Sequence, residues 1–85
     1  MSKYHFPNLK SFFATKGIKI REFLDGAFKA EGRSVASSRS WTHALNGHGV
    51  GETMINKMQR VAMETLRQMG HEVANDTLKY ELVSE

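Results

Sequence analysis

The sequence predicts a mainly α fold: a compact domain of four helices closed by a short C-terminal extended segment or hairpin. Three observations carry that expectation. Four stretches repeat apolar residues at helical spacing, each is bounded by a capping residue or a glycine, and the last fifteen residues change to alternation. At 85 residues the chain makes one domain, with 71–85 as its tail.

The first helix is read in NLKSFFATKG, where Leu9, Phe12 and Phe13 share a face between Asn8, a candidate N-cap, and Gly17, a candidate stop. The second lies in KIREFLDGAFKAEG. Ile20, Phe23, Leu24, Ala27 and Phe28 recur at i, i+3, i+4, i+7 and i+8, and Gly32 is expected to end the helix. Gly26 sits inside this stripe at a cost of about 1 kcal/mol relative to Ala. The third helix, in SSRSWTHALNG, takes Ser37 as N-cap and the Asn46-Gly47 pair as its stop. The fourth runs from near Glu52 to Met69, with Met54, Ile55, Met58, Val61, Ala62, Leu66 and Met69 on one face and Met63 on the other. In the tail, Leu78, Tyr80 and Leu82 alternate with Lys79 and Glu81, the period of a strand after a turn at Asn75-Asp76. A short helix capped by Asp76 is the competing reading of that tail.

An apolar content of 40% is that of a folded domain, and the absence of cysteine excludes disulfides and thiolate metal sites. The N-terminal MSKYHFPNLK lacks the apolar core of a secretory signal, and no run reaches membrane-spanning length, so a cytoplasmic protein is expected. Net charge is +3 but unevenly spread. Residues 1–47 hold eight Lys/Arg against three acids, whereas residues 48–85 hold four against six. A basic front half is the pattern of a polyanion-facing surface.

The stretch SSRSWTHALNGHGVG, residues 37–51, concentrates the unusual chemistry. At about 100° per residue, Trp41, Ala44 and Leu45 fall on one side of a helix and Arg39, His43 and Asn46 on the other, flanked by Thr42. The outward side has no carboxylate. An ordinary solvated face is richer in Glu and Lys, whereas Arg, His, Thr, Ser and Asn suit base edges and phosphates. The three glycines follow a helix rather than a strand, which argues against a phosphate-binding loop. His43 and His48, five apart, diverge on a continuous helix, and no nearby acid completes a ligand set, so no metal is expected. Ser40 and His43 are within reach at i, i+3, but no acid is evident to orient the imidazole. The sequence therefore offers no enzyme site, no cofactor and no evident small-molecule ligand.

Two helices, a Ser-rich cap, a mid-helix Trp41, Asn46-Gly47 and the following GETMINKMQRVA together resemble the helix-turn-helix of Cro and C-type phage repressors, the XRE-like family. The resemblance spans residues 8–69 and is most specific over Ser37 to Ala62. Ile20 and Leu24 stand where the family carries Gln and a small Ala, and the connection into the third helix, through FKAEGRSVA, is several residues longer. The resemblance implies a lambda-repressor-like fold with the third helix in the major groove of double-stranded DNA. It further implies that Ser37, Ser38, Arg39 and His43 meet bases, and that Asn46 and the His48 turn meet the backbone. The wheel adds Thr42 to the base-facing set. Lys19, Arg21 and Arg33 are expected to contact phosphates; solvated charge is the alternative for each, and Arg21 also has Asp25 at i, i+4.

One such unit touches few base pairs, so a homodimer is expected, with Met63, Leu78, Tyr80 and Leu82 at its interface. The alternative is that the tail covers its own core. The function expected is a sequence-specific transcriptional regulator, a phage or mobile-element repressor on a palindromic operator. The rival is a protein–protein module, an antirepressor or host-factor inhibitor on the same helices.

Overall fold

The computed structural model describes residues 2–30 and 35–83. In chain order its elements are β1 (Tyr4–His5), α1 (Leu9–Lys16), α2 (Ile20–Ala30), α3 (Ser38–Leu45), α4 (Glu52–Gln68) and β2 (Glu81–Leu82). The fold is mainly helical, as the periodicity predicts. The expected stop at Gly32 lies outside the described residues.

Helix ends follow their local chemistry. After α1, Ile18 N–H donates to Phe13 C=O at 2.9 Å and Gly17 N–H to Ala14 C=O at 3.4 Å, with Gly17 at φ 68°. This is a Schellman closure, and its usual apolar contact is present because Phe13 and Ile18 are both buried. The same pair of bonds closes α4, from His71 to Leu66 and from Gly70 to Arg67. At the start of α1, Asn8 occupies the N-cap position but makes no capping bond. Its side-chain amide donates instead to Asp76 C=O at 3.1 Å, tying α1 to the tail.

The core is built on α4. Ile55, Met58, Ala62 and Leu66 are fully buried, and Phe23 and Ala27 of α2 are buried among the same residues. The approach between the two helices explains Gly26. A Cβ there would stand 3.0 Å from Cγ2 of Thr65, a residue 1% exposed whose hydroxyl donates to Val61 C=O at 2.7 Å. Aromatic rings link the other helices: Phe13 lies 4.8 Å from Phe23, and Phe23 meets Trp41 at 5.2 Å and 82°. That last contact joins α2 to α3.

Two sequence expectations are corrected, at Ile20 and Leu78. Ile20 is 44% exposed, because the buried part of the α2 stripe begins one turn later at Phe23. Met63, off the α4 stripe, is half-buried against the core, beside His71 and Val73 where the chain folds back after α4. Leu78, expected on a dimer surface, is 2% exposed within the chain's own core.

The tail is a turn over 75–78 followed by β2. β2 pairs antiparallel with β1, Tyr4 opposite Leu82 and His5 opposite Glu81. Tyr4 also exchanges two 2.8 Å backbone bonds with Val50, so β1 runs between Val50 and β2. Gly49 lies beneath this ribbon at φ 82°, and a Cβ there would meet Val83 Cγ2 at 2.6 Å and Lys3 Cβ at 2.8 Å. Only glycine fits a left-handed residue this close to a strand.

Candidate nucleic-acid interface

α3 is a short helix held firmly at one end. Three of its C-terminal carbonyls are satisfied from outside or just beyond the helix: Thr42 by Asn46 N–H at 3.0 Å, His43 by Gly49 N–H at 2.9 Å, and Ala44 by Phe6 N–H at 2.9 Å. Such carbonyls have no partner within the helix, so these bonds fix its position and end it. Trp41 and Ala44 are fully buried and Leu45 nearly so, which seats one side of α3 in the core. Among the described residues the Trp41 indole N–H has no hydrogen-bond partner, and the ring is packed against Phe23. At the other end Ser37 caps the helix, its hydroxyl accepting from Ser40 N–H at 3.3 Å.

With that side seated, the rest of α3 faces outward as the wheel predicts. Ser37, Ser38, Arg39, Thr42 and Asn46 are exposed and His43 is half-buried. Thr42 donates to Ser38 C=O at 3.0 Å, which orients its hydroxyl with acceptor capacity left over. Arg39 makes no hydrogen bond or ion pair among the described residues. Its five donors are available to a ligand.

The structure joins some of the expected residues and separates others. His43 and His48 come together, ring centroids 5.4 Å apart. Asn46 is joined to Lys10, whose ammonium donates to Asn46 Oδ1 at 2.9 Å. Lys10 therefore adds a cation at the end of α3, and His5 and Ser11 line the same shallow recess. Sequence reading missed Lys10 because nothing in a spacing of 36 residues announces the contact. Lys19 and Arg21 are exposed at the start of α2, with no side-chain bond of their own among the described residues. Arg33 lies outside the described residues.

The residues expected at a dimer surface do not form one patch. Tyr80 donates its hydroxyl to Asn56 Oδ1 at 2.7 Å and sets its ring edge-on to Tyr4 at 5.6 Å. Gln59 holds Leu78 C=O at 2.7 Å. Leu78 and Tyr80 thus serve to close the chain's own tail onto α4. Met63 lies seven residues beyond Asn56 on that helix, about 10 Å along its axis. Leu82, 58% exposed on β2, is the one of the four that stands open.

Among the described residues no helix is long and apolar enough to cross a membrane. No family model, curated protein or solved structure matches the chain.

Proposed function

We propose that this chain is a sequence-specific DNA-binding regulator that reads double-stranded DNA with α3. The observation that carries the reading is the composition of one anchored helix: an outward face of Ser38, Arg39, Thr42, His43 and Asn46 with no acid, on a helix whose opposite side is locked by Trp41, Ala44 and Leu45. With its side chains an α-helix is about 10–12 Å across, a match to the width of the major groove, and the eight residues of α3 offer about two turns to it. The exposed cations Lys10, Lys19 and Arg21, within the half of the chain that carries net +5, supply phosphate contacts that position without specifying. The resemblance to Cro and C-type repressors supports the same assignment, and with it a repressor of phage or mobile-element origin working in the cytoplasm.

The chain measures 35 × 26 × 19 Å and carries one α3, so one copy reads one half-site. Half-sites lie about 34 Å apart, one DNA turn, and two copies related by a two-fold axis are needed to span them. The exposed Leu82 on the outer strand of the ribbon is the remaining candidate for that contact.

Selection of bound duplexes from a random library tests the reading. The expected product is a near-palindromic consensus. Arg39→Ala then costs about 1–3 kcal/mol at one position of each half-site and relaxes the base preference there. Lys19→Ala weakens binding to all sequences alike and flattens the salt dependence. Recovery of no consensus, or Arg39→Ala binding every duplex as the parent does, would remove α3 from the role and favour a protein-binding module.

A further inference from the structure

We propose that His43 and His48 form a two-imidazole site for a divalent transition cation of the zinc, nickel and copper class, at the C-terminal end of α3. The spacing of five residues argues against this only if both lie on one helix. They do not. α3 ends at Leu45, and the turn through Asn46 and Gly47 carries His48 back beside His43. The backbone holds this turn in place: Gly49 N–H bonds His43 C=O at 2.9 Å, and Gly47 and Gly49 both sit at φ 82°.

The separation of the rings fits chelation. A metal–nitrogen bond of about 2.0–2.1 Å places the cation roughly 3 Å from each ring centre, so two imidazoles at a tetrahedral angle have centroids about 5 Å apart. The observed separation is 5.4 Å, with the rings inclined at 51° rather than stacked parallel. His48 is exposed and His43 half-buried, which leaves the pair open to solvent on one side. Among the described residues no set of three His, Cys, Asp or Glu is grouped as metal ligands, so water completes the coordination and the site is an open one. Imidazole ligands select zinc, nickel and copper over magnesium or calcium. Arg39, one turn before His43 on the same face, opposes the added charge and keeps the affinity modest. His43 also belongs to the face proposed to read DNA, but the titration uses the protein without DNA, so the cation site and the DNA reading can fail separately.

Calorimetric titration of the full chain with Zn²⁺, in a buffer that does not coordinate metal, tests it. The expected result is one cation per chain with micromolar affinity, weakened at least about tenfold by His43→Ala and likewise by His48→Ala. His71 has its ring against Phe12 of α1 and not in the pair, and His71→Ala is expected to leave the isotherm unchanged. Far-ultraviolet circular dichroism of each variant checks that the fold survives, and exposed His48 provides a substitution that leaves the core untouched. Binding that survives both substitutions, or no one-to-one binding at millimolar Zn²⁺, would overturn the site.

Discussion

Gly26 is the position where two effects of known size oppose each other. Inside α2, replacing Gly by Ala gains about 1 kcal/mol of helix propensity. Against that, the new Cβ would stand 3.0 Å from Thr65 Cγ2, where carbon atoms pack at about 3.5–4.0 Å. Thr65 has little freedom to yield. It is 1% exposed, β-branched, and held in its rotamer by a 2.7 Å bond to Val61 C=O. Overpacking of this kind costs about 1–3 kcal/mol, so Gly26→Ala is expected to lose about 1 kcal/mol net, or 4–8 °C in Tm for a domain of this size. Thr65→Ser removes the methyl and keeps the hydroxyl bond. In that background Gly26→Ala fills the gap and gains about 1 kcal/mol, giving a coupling of about 2 kcal/mol across the cycle. Urea titration followed by emission of the single, fully buried Trp41 reads all four proteins. A stabilising Gly26→Ala of equal size in both backgrounds would show that α2 and α4 do not meet closely here.

Two further substitutions probe the ribbon and the tail. Gly49→Ala combines a left-handed backbone with a clash against Val83 and Lys3, and is expected to cost about 3 kcal/mol in the same urea assay. Leu78→Ala should cost about 2–5 kcal/mol because the side chain is buried in its own core. Leu82→Ser, at an exposed site, should stay within about 0.5 kcal/mol in folding while weakening self-association measured by sedimentation.

Much of this architecture is legible in the sequence, for a physical reason. Helical periodicity and capping act over a few residues, so Ser37, Trp41, Asn46 and the Gly17 stop are readable where they stand. The same patterns say which side of a helix is apolar without saying what covers it. Ile20 belongs to the α2 stripe by spacing yet overhangs the core, and Met63 falls off the α4 stripe yet is covered by the chain after Gly70. The tail shows the limit most clearly. Its alternation marks Leu78, Tyr80 and Leu82 alike, but Gln59 and Asn56 of α4 fasten the first part inward and leave only Leu82 outside. Such contacts, like that of Lys10 with Asn46, join residues far apart in the chain and leave no local pattern. The approach of His48 to His43 is hidden for a related reason: the turn through Asn46 and Gly47 brings the rings together, and spacing alone does not give a turn's path.

Whether the anchored face of α3 reads DNA sequence is decided by fluorescence-anisotropy titration against the duplex recovered by selection and its scrambled counterpart, at two salt concentrations. The selected duplex is expected to bind about a thousandfold or more tighter, with a salt slope that counts the phosphate contacts. Equal and weak binding to both duplexes would contradict that role for α3.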